Sequence, residues 1–322
     1  MSQRLFNREV SVVFTNRADI SDVIRIEDPK ITGKEPVKID FQVEKQLALG
    51  TLNRADLTII NLSDDTASKI NFRKPVTDIV KLQKQRFGRM VEIFAGYEGQ
   101  SRRIFKGLIT SAITSKKGAV KLTDIECMND FYETMNTHIT ESFSAGTTKS
   151  AAILKILKII DSPVSVNAEK QLKSRLTGRV FKDETSFSDT AYNVISAINR
   201  GVIGLVNVSF GDVGARFNPV GIPNENEDDI FYNQNNGLME TPQPTEIGTD
   251  FIVQLDNDLR IGSPVAIDSP TINAFYDIGK FVVRQIIHTG SNYAEGEFQS
   301  RVTSVFNRSA LGADIIPGDA IA

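Results

Sequence analysis

The sequence predicts a mainly β protein of the α+β class, with antiparallel sheets or small barrels at both ends and a helix-containing segment between them. Three observations carry this. Val37, Ile39, Phe41 and Val43 alternate with Lys38, Asp40, Gln42 and Glu44, the period of two that a half-buried strand imposes. Helical spacing appears in the middle of the chain, where Ile153, Ile156, Leu157 and Ile160 recur on one face. The last third returns to short β runs such as Phe251–Leu255 and Gly279–His288, separated by turns rich in Gly, Asn and Pro. Segments with one apolar and one polar face are the mark of an antiparallel sheet or small barrel.

Composition sets the outer bounds. The chain has 322 residues, 40% hydrophobic and 24% charged, enough for two or three domains. Its formal net charge of −3 argues against a protein that coats nucleic acid, which would be basic. Cys127 stands alone, so no intramolecular disulfide framework exists, and a small buried hydrophobe at a strand end is the expected role. The first eight residues lack the apolar core of a signal peptide. No apolar run reaches the roughly 20 residues that span a bilayer. The expectation is synthesis and assembly in the cytoplasm, without membrane insertion.

Taken in order, residues 4–14 open with a strand in which Val10, Val12 and Phe14 share a face, and Ile24 to Gly33 is polar and turn-rich. A second strand, Asn53 to Leu62, runs into Ser63-Asp64-Asp65-Thr66. Serine followed by two acids suits a helix start, since the hydroxyl caps free amides and the carboxylates oppose the dipole. Metal ligation by Asp64 and Asp65 is the alternative. Lys74 to Arg89 is basic, with Lys81, Lys84 and Arg86 among its charges. It is either a solvated excursion between strands or an anion-contacting loop. Met90 to Ala95 then reaches the turn Gly96-Tyr97-Glu98-Gly99, Arg103 to Ile109 leads away, and Val120 to Cys127 after the Lys116-Lys117-Gly118 turn closes the first β region.

From Thr147 the pattern changes. Thr147 or Thr148 caps a helix that Pro163 stops. A second helix is expected from Ser186 or Ser188, with Ala191, Val194, Ile195 and Ile198 inward and Gly201 past its end. Residues 211–248 contain many glycines and prolines and the acidic run 225–229, and read as a long loop. That run fits no EF-hand spacing; a solvated loop, or one folding against a partner, is expected.

Two segments carry a resemblance to a known family. Asn-x-Ala-x-Leu-x-Ile-x-Asn-Leu-Ser (53–63), with Ile-Phe-Ala-Gly-Tyr-Glu-Gly (93–99) and Ile-Phe-Lys-Gly-Leu-Ile (104–109), resembles the first tube-like domain of bacteriophage baseplate hub proteins of contractile tails. Asn-Asp-x-x-Ile-Gly-x-x-Val (257–265) and Gly-x-x-Val-Val-Arg-x-Ile-x-His (279–288) are similar to their second tube-like domain. The resemblance implies two tube-like antiparallel β-barrel domains with a small helix-containing inserted domain. Their bounds would be 1–127 for the first barrel, 128–202 for the insert, 203–306 for the second barrel with its loop 211–248, and 307–322 for a C-terminal tail. It further implies two separately closed barrels, a homotrimeric ring in the virion, and an axial channel through which DNA only passes. The tail tube or a tube-initiator protein would lie above, the central spike below and baseplate wedge proteins around it. Lys81, Lys84 and Arg86 then become candidates for the subunit interface, with a bore that is not strongly basic.

Motifs for chemistry are absent from the sequence. It has two histidines, His138 and His288, and no nucleophile elbow, phosphate loop or Cys-x-x-Cys. Cys127, His138 and His288 are spread across segments expected in different domains, which does not suit zinc. His288, ending a β run, reads as a hydrogen-bonded rim residue. No enzyme activity, cofactor or metal is expected. The alternative function is a receptor- or carbohydrate-binding β protein of a tail tip, for which 8% aromatics and no Trp are unfavourable.

Overall fold

The computed structural model describes residues 7–17, 19–27, 37–46, 53–73, 89–97, 99–129, 137–160, 162, 164, 166–200, 207–211, 214–218, 221–224, 227–275, 279–293 and 295–307. The N-terminal β region consists of β1 (Arg8–Asn16), β2 (Val23–Ile26), β3 (Lys38–Gln46), β4 (Arg54–Ile60), the two-residue β5 (Phe72–Arg73), β6 (Arg89–Tyr97), β7 (Arg102–Lys117) and β8 (Val120–Asn129). Helix α1 (Asp64–Ile70) lies between β4 and β5. The alternation read in β3 is real: Ile39, Phe41 and Val43 are buried and their neighbours face out. Contrary to expectation, the start of the polar segment after Ile24 is strand. β2 pairs with β1 through Val12↔Ile26 and Phe14↔Ile24, which buries Ile26; four residues were too few to show a period.

Ser63 caps α1 as expected, its Oγ accepting from the Thr66 amide at 3.2 Å. The two acids behind it are engaged by lysines, Asp65 with Lys69 at 2.7 Å and Asp64 with Lys121 at 2.6 Å.

The middle of the chain folds around its own core. It contains β9 (His138–Phe143), α2 (Lys149–Ile159), α3 (Val166–Arg175), β10 (Thr185–Thr190), α4 (Ala191–Arg200) and the hairpin β11 (Asn207–Gly211) to β12 (Gly214–Asn218). Thr148 caps α2. The second helix starts later than expected: Ser186 and Ser188 lie in β10, paired with Ser142 and Thr140 of β9, and Thr190 Oγ1 accepts from Asn193 N where α4 begins. Helix α3 was not legible, because among its residues only Leu172 and Ala168 carry the inward stripe.

The C-terminal β region holds β13 (Ile230–Tyr232), β14 (Gln243–Thr245), β15 (Gly248–Gln254), β16 (Pro264–Ile267), α5 (Pro270–Phe275), β17 (Lys280–Ser291) and β18 (Phe298–Phe306). The segment read as a loop over 211–248 thus contains short strands, and β13 pairs in parallel with β16.

Both β regions belong to one 14-stranded sheet among the described residues, whose main path is β14-β15-β18-β17-β3-β4-β8-β7-β6-β1-β2, with β5, β13 and β16 paired off it. The join is β17. Its first residues pair with β16, Phe281 opposite Val265. After an irregularity between Val283 and Gln285 the same edge pairs with β3, from Gln285↔Gln46 to Ser291↔Asp40. A bulge bends its strand and increases local twist, and here it divides one sheet into two curls.

The two tube-like β regions are thus joined through the β17–β18 hairpin in one continuous sheet, where two separate sheets were expected. One apolar core lies within the N-terminal curl and takes in Phe298 and Leu255 from the C-terminal region. A further core fills the C-terminal curl around Tyr232, Phe251, Phe281 and Val302. Each is plugged by a short helix, α1 through Ala67 and Ile70, α5 through Ile272. Helices α2, α3 and α4 pack in neither; with β9, β10 and Phe217 they make a core of their own.

The N-terminal curl is closed by the hairpin tip. Arg8 of β1 donates to the carbonyls of Tyr293 at 3.0 Å and Gly296 at 2.6 Å, and its guanidinium lies 5.2 Å from the centre of the Phe298 ring. Phe298 meets Tyr97 edge-on at 5.3 Å. Asn292 prolongs the β3–β17 ladder with its side chain, accepting from Ile39 N and donating to Val37 O, both at 2.9 Å.

Gly290 sits in this junction because nothing larger fits: a β-carbon there would lie 2.4 Å from Phe41 and 2.9 Å from Phe298. Gly290→Ala should lower stability by about 1–3 kcal/mol, the usual cost of overpacking, read as a shift of the urea midpoint. A midpoint unchanged from wild type would mean that the two rings are free to move apart.

Candidate functional site

The feature that suits a function is the solvent face of the shared sheet. Strand alternation sends Lys38, Asp40, Gln42 and Glu44 of β3 to the side opposite the core, and the register aligns them with outward residues of the neighbouring strands. One cross-strand row reads Gln254, Gln299, Thr289, Gln42, Asp56, Glu126 from β15 to β8. The next row carries Ser291, Asp40, Thr58 and Asp124. On the other side run Ile252, Arg301, Ile287, Glu44, Arg54 and Met128. The first and third of these rows cross from β15 to β8, and the second starts at β17.

This face leans acidic. Of its bases Lys38, Arg54 and Arg301, the first two are held by acids, Lys38 by Asp40 at 3.1 Å and Arg54 by Glu44 at 2.8 Å. Glu44 also accepts from Gln285 at 3.0 Å and Gln46 at 2.6 Å. Thr58 donates to Asp124 at 2.8 Å. Asp56 and Glu126 are direct cross-strand partners, an arrangement in which like charges oppose folding. A shallow open groove of about 330 Å³ runs over Asp40, Gln42, Asp56, Thr58, Thr289 and Glu297. Hydroxyls, amides and carboxylates line it beside Phe41 and Gly290; among the described residues no group of three or more His, Cys, Asp or Glu could hold a metal ion.

The residues singled out from the sequence are not brought together. Lys81, Lys84 and Arg86 lie outside the described residues, as does the stretch 74–88 that carries them. Of the strands that flank it, β5 pairs with β7, and Arg89 of β6 donates to Asp22 Oδ2 at 2.5 Å and to the Lys69 carbonyl at 3.0 Å. The Arg89 guanidinium and then Asn16 hold the Asp22 carboxyl below its usual range. Cys127 is buried in the first core, and burial pushes its thiol up. His138 is exposed on β9 with Ser188 Oγ at 3.3 Å.

His288 corrects the rim reading: it is fully buried, with Nδ1 2.8 Å from Ser300 Oγ. The alternation of β17 turns it inward, and the β-run's end in sequence is not its end in the sheet. Of the acidic run, Glu225 and Asn226 fall outside the described residues. Glu227 accepts from Ser263 and Asn224, and Asp229 pairs with Lys280 at 2.6 Å, so this loop folds against its own sheet. The outward face itself could have been found by writing down the polar partners of the alternating strands; its rows depended on register, which no local pattern gave.

No family model and no curated protein matches the chain. Solved structures do. The 43 kDa tail protein of prophage MuSo2 from Shewanella oneidensis is similar with a TM-score of 0.56 and 8% identity, over 92% of this chain and 97% of that one. A tail protein from Neisseria meningitidis MC58 gives 0.56 and 9%, over 94% and 97%. An Escherichia coli component of the type VI secretion system, described as structurally similar to the T4 bacteriophage tail proteins gp27 and gp5, gives 0.51 and 10%, over 85% and 75%.

The like-charge pair gives a direct test of the face. Glu126→Lys sets opposite charges across β4 and β8 and should raise stability by about 0.2–1 kcal/mol, measured by urea unfolding, with the gain shrinking as salt is added. Lower stability at low salt would show that the two carboxylates do not face one another. The likeness, at these identities, is one of fold, and the chain has the fold of phage tail proteins and of a type VI secretion component compared with them.

Proposed function

We propose that the chain is a structural subunit of a tail baseplate, a trimeric hub whose shared sheet lines an axial channel between tail tube and central spike. The observation that carries this is the continuous sheet spanning two curls, with an outer face that is mostly polar and leans acidic. Three copies supply six quasi-equivalent curls, which matches a six-fold tube to a three-fold spike. The acid-leaning face suits a bore through which DNA slides, since a lysine-lined wall would hold phosphates by counterion release. The subunit works by shape and symmetry and makes no bonds. It assembles in the host cytoplasm and resides in the virion tail, with wedge proteins around it.

The ring closes head to tail through the two ends of the sheet. β2 and β14 are its terminal strands among the described residues. Each end exposes aliphatic side chains, Ile20 at 80% and Val23 at 40% by β2, Met239 at 52% and Ile247 at 54% by β14. An open sheet edge flanked by apolar groups is a template for another chain.

Light scattering on the purified chain, alone and with tube and spike proteins, should give a trimer. Ile20→Asp with Ile247→Asp should leave a folded monomer, and a stable monomer of the wild type in every mixture would count decisively against the ring. Within assembled particles, Asp56→Lys with Asp124→Lys should leave assembly intact and slow genome delivery. Unchanged delivery would place the channel on another face.

A further inference from the structure

The two β cores meet along β17 and β18, and the residues at the meeting point are polar. On β18, Phe298 belongs to the first core and Val302 to the C-terminal one; Ser300 lies between them. On β17, Gly290 packs against the rings of the first core, Ile286 belongs to the C-terminal one, and His288 lies between, opposite Ser300 in the register. Over this seam runs the segment Leu255-Asp256-Asn257-Asp258. Leu255 is buried in the first core. Asp256 accepts from Tyr232 of the C-terminal core at 2.7 Å, and its amide donates to Ser300 Oγ at 3.1 Å. Asn257 donates to the carbonyls of Ala95 at 2.9 Å and Gln100 at 2.6 Å across the β6–β7 turn, and Asp258 pairs with Arg102. Four consecutive residues thus tie one core to the other.

We propose that residues 255–258 are an acid-released clasp between the two β cores, with His288 as its pin. Ser300 Oγ receives the Asp256 amide and lies 2.8 Å from Nδ1, which in the neutral ring either accepts from the hydroxyl or donates to it. Protonated, both ring nitrogens donate. Nδ1 then donates to Ser300 Oγ, and Nε2, buried with no hydrogen-bond partner among the described residues, holds an unpaired N–H on a charged ring between the two apolar cores. Burial first, then Lys45, holds the imidazole well below its ordinary 6.5, so it is neutral when the clasp is shut.

The charged and titratable groups around it do not offer relief. From β3 the neighbour is Lys45, of like charge. From β18, Arg301 is paired with Ile287 on the opposite face. From the clasp, Asp256 is taken by Tyr232 and by the Asp258 amide at 2.8 Å. The cheapest response to a proton is to lift the clasp and admit water, since the β3–β17 ladder on the other side needs no change. The sign follows: a depressed imidazole stabilises the closed form above its ordinary value, and that contribution is lost as pH falls from there toward the folded value. Clasp and ring are independent claims, because the pin acts within one chain.

The test is hydrogen exchange of the full-length protein between about pH 7.5 and 5, corrected for intrinsic rates. Protection of segment 255–258 should fall by up to about tenfold per pH unit below the ordinary imidazole value, while β4 and β8 stay protected. His288→Gln keeps a partner for Ser300 and should remove the pH dependence. Asn257→Ala should lower protection of 255–258 at every pH. Should the glutamine variant fail to fold, the wild-type His288 ring resonances must titrate together with the loss of protection. A flat profile, a loss shared by the whole sheet, or a slope that survives in His288→Gln would overturn the proposal.

Discussion

The structure depends on one strand, β17, having two partners along one edge. Its start pairs with β16 and the remainder with β3, and the irregularity between Val283 and Gln285 marks the change. A regular strand would have kept one neighbour and made one flat sheet, or ended and left two unconnected barrels. The bulge instead lets each curl wrap its own core while backbone hydrogen bonds continue across. This is why Phe298 and Leu255, late in sequence, fill a core otherwise built from residues before 130, and why Arg8 finds its acceptors at Tyr293 and Gly296. The first curl cannot be completed until the last hairpin is made.

Continuity constrains the outer face as well. With a period of two and a fixed register, the residues opposite the cores must line up across both curls. The row from Gln254 to Glu126 crosses the junction at Thr289↔Gln42. What evolution could choose there was chemistry alone, and it is mostly amides, hydroxyls and acids, with Lys38 and Arg54 neutralised by neighbours and Arg301, Ile252, Ile287 and Met128 in one outer row. Opposing Asp56 to Glu126 costs stability, a cost better explained by a demand on the surface than by folding.

Strand existence and the capped helices α1 and α2 were legible because each rests on local rules: alternation for β3 and β4, a serine or threonine hydroxyl for the helix starts. Elements without a local signal were not. β2 was too short to show a period, α3 has few apolar residues, and β10 carries Ser186 and Ser188, residues that also suit a helix cap. The identity of the buried polar residues was hidden for a different reason. His288 looks like a rim residue because the β run stops there in sequence, whereas its burial is decided by β3 and β18, which lie far away along the chain.

The same argument explains why polar groups stand at the seam at all. Two apolar cores brought side by side on one strand would merge if the residues between them were apolar, and the curl of each sheet would lose its separate centre. A histidine and a serine facing each other at 2.8 Å interrupt the apolar surface while satisfying most of their own hydrogen bonds, and Asp256 completes the arrangement from above through its amide. Buried polar groups are costly when unpaired, so they fix the position of whatever pairs with them. Here that is the segment 255–258, and through Asn257 the β6–β7 turn, so the relative placement of the two curls is set by hydrogen-bond geometry where apolar contact alone would have left it free to slide.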